Sequence, residues 1–285
     1  MPVAHQTTAP ALPFDLLAPG VGAGAPPPAG WQRLTALPLL VLVGVTGVGK
    51  STTLDALAGR GARFTLLPDR RALTDRLLIA AMQAADGAPI APVADRKLRF
   101  AYTRRYRECY PGGMAHALAQ LWVEPPAAGV WLIFDGLRGA NEVEYAAKHF
   151  PAAKFLMLDA PDWMRVRRLI KRRDRFDQIA QTAAPVAADA ADDLAALGAP
   201  EAAALFTPAE QQMMLAWVRQ GEVSAEELRA KLQIVVEERR SYDPAATLAA
   251  LRAHAPARAC YVDTTVHAPA AVVERLIALM AGQAC

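Results

Sequence analysis

The clearest chemistry lies in Gly44, Val45, Thr46, Gly47, Val48, Gly49, Lys50, Ser51 and Thr52. They satisfy G-x-x-x-x-G-K-[ST], the pattern of a phosphate-binding loop or Walker A motif. The spacing has a physical purpose. Glycines let the backbone curl so that successive N–H groups point inward at phosphate oxygens. The helix that follows adds unpaired N–H groups and the positive end of its dipole. Lys50 would reach the β- and γ-phosphates, and the Ser51 hydroxyl would ligate Mg²⁺. Mg²⁺ and a nucleoside triphosphate are therefore the expected ligands of this stretch.

Such a loop needs a strand before it and a helix after it. Leu39–Val43 is an apolar, β-rich run that predicts a buried strand, and Thr52 to Ala58 predicts a helix. A second strand, Ala62 to Leu67, ends in Pro68, Asp69, Arg70 and Arg71. Ligands of open α/β sheets sit beyond the carboxyl ends of strands. Asp69 and Arg70 would then lie near the loop, with Asp69 orienting or deprotonating an acceptor hydroxyl. An aspartate there is equally an ordinary helix N-cap. Val130–Phe134 closed by Asp135 predicts a third strand whose carboxylate holds Mg²⁺ as a Walker B aspartate. Arg138 just beyond would point at the acceptor phosphate.

Three helical stretches carry charge. The basic, aromatic run from Arg96 to Arg107 contains Arg99, Tyr102 and Tyr106. Its tyrosines either sandwich a base or sugar beside arginines, or plug the core. Ala140–His149 predicts a helix with Val143 and Ala147 inward and Glu142 and Glu144 outward. After a fourth strand, Lys154–Asp159, comes Arg165, Arg167, Arg168, Lys171, Arg172, Arg173 and Arg175. Such a run either closes on a transferring phosphoryl, with Arg168, Arg172 and Arg173 as candidates, or forms a solvated face. A helix is also expected from Met114 to Trp122, a fifth strand at Ala259–Thr265, and a last helix from Ala268 to Met280.

Composition bounds the rest. Of 285 residues, 53% are hydrophobic and 21% charged, which is globular. A formal charge of +3 is too small to indicate nucleic acid. Cys109, Cys260 and Cys285 have no metal-binding spacing. No apolar run is long enough for a membrane span, and no secretory signal pattern opens the chain, so a cytoplasmic location is expected. Residues 1–32 are rich in Ala, Pro and Gly and are expected to form a flexible tail, with Phe14, Leu16 and Leu17 docking locally. Residues 33–285 would form the folded unit, with an Ala-rich helical insertion at about 176–243. That insertion carries no catalytic signature and reads as a lid or a surface for a protein partner.

Strand, loop and helix followed by four more strands alternating with helices describe a doubly wound parallel α/β sheet. The chain resembles the P-loop nucleotide-kinase-like superfamily, which includes nucleoside monophosphate kinases and dephospho-coenzyme A kinase. The likeness rests on GVTGVGKST (44–52), IFDGLRGANEV (133–143), RVRRLIKRRDR (165–175) and YVDTTVHAPAAVVERLI (261–277). The first two, with a later FP-A-FL-L-AP pattern, are also similar to guanylate kinases. The resemblance implies a five-stranded P-loop fold, a Mg²⁺-ATP donor, a small-molecule or nucleotide acceptor between strands two and three, and an arginine lid after strand four. It matches no complete acceptor signature, so a kinase and a nucleotide-dependent ATPase or switch acting on a protein partner both stand.

Overall fold

The computed structural model describes residues 13–172 and 193–283. Its strands are β1 (Asp15–Ala18), β2 (Val21–Ala23), β3 (Gln32–Arg33), β4 (Leu39–Val43), β5 (Phe64–Leu66), β6 (Leu121–Val123), β7 (Trp131–Leu137), β8 (Ala153–Asp159) and β9 (Ala259–Asp263). Helix α1 is Lys50–Gly59. The helix α2 (Arg70–Leu73) continues through a π-helical stretch, Thr74–Ile79, into α3 (Ala80–Ala85). Then come α4 (Arg96–Cys109), α5 (Gly113–Leu118), α6 (Ala140–His149) and α7 (Asp162–Lys171). The remainder are α8 (Pro200–Ala203), α9 (Pro208–Arg219), α10 (Ala225–Ser241), α11 (Pro244–His254) and α12 (Pro269–Met280).

The five expected strands form one parallel sheet in the order β5-β7-β4-β8-β9. The strand leading into the phosphate loop, β4, is central, and all its residues are buried. Its side chains alternate between two cores, as a covered parallel strand requires. Leu39, Val41 and Val43 join α5, α6 and α11 through Met114, Val143 and Leu251. Leu40 and Leu42 join α1 and α12 through Leu57, Val272 and Leu276. This is the P-loop α/β arrangement. A third core belongs to the inserted helices, where Val166 and Leu169 of α7 meet Met214, Leu228, Leu232 and Val235. No described helix is long and apolar enough to cross a membrane.

Two expectations need correction. Residues 13–33 are not a loose tail, because β1, β2 and β3 form an antiparallel sheet with β6 in the order β1-β2-β6-β3. Asp15 pairs with Arg76, the Trp122 indole donates to Gly24 O at 3.0 Å, and Arg33 stacks on Trp122 at 4.0 Å. Residues 1–12 lie outside the description. The helix expected through Trp122 stops at Leu118, because Leu121–Val123 is the strand that receives this N-terminal segment.

Removing residues 1–33 should therefore uncover Leu121 and Val123 and lower Tm by roughly 5 °C or more, from the apolar area lost. A shortened chain that melts at the full-length temperature in a thermal scan would restore the tail reading.

Candidate functional site

The loop leaves the carboxyl end of β4 and runs into α1. Gly44 has φ 140°, and a Cβ there would lie 2.5 Å from Leu158 O. Gly49, the N-cap of α1, has a left-handed backbone at φ 99°, which only glycine adopts at little cost. Lys50 is the first residue of α1. Its ammonium donates to Gly44 O and Val45 O, each at 2.9 Å, and stands 3.7 Å from Asp135 Oδ1. Burial lowers its pKa to about 8, with Asp135 pulling the other way. Ser51 and Thr52 follow in the first turn and are exposed.

Asp135 reaches this point because β7 pairs in parallel with β4, Leu42 opposite Asp135. Its Oδ1 is buried and accepts no hydrogen bond, and the Nε of Arg138 is a buried donor without an acceptor. Buried polar atoms are ordinarily paired. One orphaned acceptor and one orphaned donor flank the loop, which suits a ligand carrying both a hydrated cation and phosphate oxygens. Among the described residues no group of three or more His, Cys, Asp or Glu could hold a metal. A Mg²⁺ ion here would be held in the usual sparse way, by one or two protein oxygens together with phosphates. The residues present are compatible with such a ligand, which would draw on the Asp135 carboxylate and the exposed Ser51 hydroxyl.

A carboxylate from the insertion enters the same place. Glu238, in the last turn of α10, accepts from Thr46 N–H at 3.1 and 3.2 Å and from Thr46 Oγ1 at 2.6 Å. Arg138 donates to it at 2.8 Å, and Arg165 Nη2 makes a close contact with its other oxygen. Arg165, fully buried, also donates to Thr46 O at 2.8 Å and to Asp162 at 2.5 Å. Arg239 closes the set on Asp162 at 2.6 Å. The sequence offered little to single Glu238 out from Glu237. The usable signal was helical spacing, since Glu238 falls three residues after the buried Val235 and seven after the buried Lys231.

The other expected residues divide. Arg168 donates to Gly47 O at 3.1 Å and to Thr264 Oγ1 at 2.8 Å, while Thr264 Oγ1 lies 2.9 Å from Val48 O. Arg168 and Thr264 thus brace Gly47 and Val48 of the loop. Arg172 is the exposed C-cap of α7, and Arg173 lies outside the described residues. Asp69 is exposed at the end of the loop after β5 and caps α2, accepting from Ala72 N–H at 2.7 Å. Arg70 is bound bidentately by Glu142 at 2.6 and 2.8 Å and also donates to Gly136 O. Glu142, expected to face outward, is 2% exposed. The largely buried guanidinium of Arg70 is matched by a counter-charge from the first turn of α6. Arg99 is paired with Asp75 at 2.5 Å. Tyr106 is a core residue bonded to His116 at 2.9 Å, and Tyr102 packs against the same core. Tyr242, the C-cap of α10, lies between Arg70 and Arg138, with each guanidinium within 6 Å of its ring.

No protein-family model matches this sequence, and no curated protein matches it. Among solved structures the chain is similar to a gluconokinase from Sinorhizobium meliloti 1021, at 15% identity over 88% of this chain and 94% of that one, with a TM-score of 0.34. It is similar to a sugar kinase from Janibacter sp. HTCC2649, at 18% identity over 87% and 98%, with a TM-score of 0.33. It is also similar to the shikimate kinase of Acinetobacter baumannii in complex with shikimate, at 15% over 86% and 93%, with a TM-score of 0.34. The fold described above rests on this chain's own strand order and loop, and what those proteins act on belongs to them.

The Arg70–Glu142 pair yields a measurable expectation. Burial pushes the Glu142 carboxyl up, but Arg70 and the backbone donors of Arg138 and Met114 outweigh it and hold it below its ordinary 4.5. A carboxyl depressed on folding stabilises fully above its unfolded pKa and loses that contribution as pH falls through the folded value. Glu142→Ala should cost roughly 3 kcal/mol at pH 7, the low end for a broken buried pair, since it leaves a largely buried guanidinium without its counter-charge. The cost should shrink in urea denaturation at pH 3. An equal deficit at both pH values would mean the loss is one of packing alone.

Proposed function

We propose that this chain is a Mg²⁺-ATP-dependent phosphotransferase acting on a nucleotide or other small metabolite. One observation carries the reading: Lys50, the first residue of α1, stands 3.7 Å from Asp135, which lies opposite Leu42 near the carboxyl end of β4, and the Asp135 Oδ1 is otherwise unpartnered. Phosphoryl transfer asks little covalent chemistry of the protein, so positioning and charge neutralisation are its task. Lys50 and the N–H groups of residues 46–52 hold the donor phosphates. Ser51 and Asp135 would hold Mg²⁺, which would supply neutralisation of the charge that develops during phosphoryl transfer. Arg138, with its unpartnered Nε, faces the transferring group.

The role expected of the α7 arginines divides in this reading. Arg168 steadies the loop, while Arg172 and Arg173, at and beyond the end of α7, close on the phosphoryl group. Asp69 orients the acceptor hydroxyl from the N-cap of α2, and Arg70, Arg99 and Tyr102 shape the acceptor side. The second reading, a nucleotide-dependent switch or ATPase acting on a protein partner, is favoured by the reach of Glu238 from the insertion to Thr46. A panel of candidate acceptors separates the two, because only a kinase accelerates sharply with one of them.

Mg²⁺-ATP at 100 times its Kd should stabilise the protein by about 2.7 kcal/mol, a rise in Tm on the order of 5–10 °C. The absence of a shift with ATP, GTP or their diphosphates would remove the nucleotide reading. Lys50→Ala should keep the fold and lower turnover by roughly 10²–10³. Asp135→Asn should instead raise the Mg²⁺ concentration needed for half-maximal rate. An unchanged metal requirement would take Asp135 out of the metal shell.

A further inference from the structure

Glu238 lies where the proposed chemistry has no use for a carboxylate. Its two oxygens take the Thr46 N–H, the Thr46 hydroxyl and the guanidinia of Arg138 and Arg165. A loop amide, a hydroxyl and two arginines are the donor set that phosphate oxygens attract. The position along the loop is specific. Lys50, the side chain that reaches the β- and γ-phosphates, bonds Gly44 O and Val45 O, and Thr46 is the next residue. Charges acting on Lys50 include Asp135, Arg138, Glu238 and Arg165. Glu238 is therefore beside the terminal-phosphate end of the site.

We propose that Glu238 is an internal stand-in for the terminal phosphate, so that the loop accepts a triphosphate only when the last turn of α10 gives up its contact with Thr46. The proposal rests on the nucleotide reading above. A carboxylate and a γ-phosphate cannot share these donors, because like charges at contact distance repel and each donor serves one acceptor. A diphosphate, lacking the terminal group, leaves Glu238 in place. When Glu238 leaves, Arg138 and Arg165 turn to phosphate oxygens, and Arg165 keeps Asp162 and Thr46 O throughout.

The movement required is confined to the last turn of α10, where Arg239 would release Asp162 and Tyr242 would shift against Arg70. Helix α10 is anchored to the inserted core through Leu228, Leu232, Val235 and Val236. Glu238 lies beyond the last of these, and Tyr242 ends the helix. Unwinding that turn leaves the apolar anchors packed. The last turn of the insertion thereby reports whether a third phosphate is present, and Glu238 sets the preference between di- and triphosphate.

Calorimetric titration of wild type and Glu238→Gln with Mg²⁺-ADP and with the Mg²⁺ complex of a β,γ-imido ATP analogue tests this. The amide keeps the size of the side chain and removes its charge. The analogue should bind the variant about tenfold more tightly, within the usual range of coupling between sites, while the Kd for ADP changes less than twofold. An equal change for both nucleotides, no change, or weaker binding of the analogue would overturn the proposal while leaving the nucleotide reading intact. Binding of neither nucleotide to either protein would overturn both. Hydrogen exchange on the wild type needs no variant. Amides of residues 237–241 should exchange faster with saturating analogue than with saturating ADP, by the reciprocity of linkage, and equal protection would count against the proposal even if Glu238→Gln failed to fold.

Discussion

Arg165 carries a permanent charge at a position with no solvent exposure, and much of the site's architecture follows from satisfying it. Three elements contribute to that task. The loop supplies Thr46 O, the first turn of α7 supplies Asp162, and the last turn of α10 supplies Glu238. Because these groups come from segments far apart in the chain, pairing the guanidinium also ties the loop to the insertion. Removing any of them would leave buried charge without its partner, which is the expensive way to break an ion pair.

The insertion is thus joined to the site as well as packed beside it. Its own core, built on α9 and α10 and on Val166 and Leu169 of α7, makes α7 a shared wall. One face of α7 is apolar and faces that core, and from the same helix Arg165 and Arg168 reach the loop. The basic run that looked uniform in one dimension therefore does different jobs. Arg165 is a buried joint, Arg168 is a brace on Gly47, and Arg172 lies exposed at the helix end.

Charge pairing likewise decides what the arginines of α2 and α4 can offer a ligand. Arg70 and Arg99 are cations that would attract a phosphorylated acceptor if they stood alone, yet Glu142 and Asp75 already pair with them. Arg138 is different in kind, since one nitrogen serves Glu238 and its Nε has no partner. An arginine in a sequence announces a charge, but the partner decides whether that charge is offered to a ligand or spent on the fold.

What the sequence alone determined was whatever local rules control. The glycines and Lys50 of the loop, the wholly apolar β4, the strand that carries Asp135 (which runs on to Leu137 rather than closing at the aspartate) and the succession of five parallel strands all follow from short-range spacing and periodicity. Tertiary structure decided what depends on partners distant along the chain. Strands β2 and β3 form against β6, about a hundred residues later, with β1 added on the far side of β2, and Ala/Pro/Gly composition gives no hint of that edge. Glu142 turns inward because Arg70 stands opposite it, and Glu238 enters the loop because α10 ends there. Helical periodicity says which residues share a face. It cannot say which charged residue of another element that face will meet.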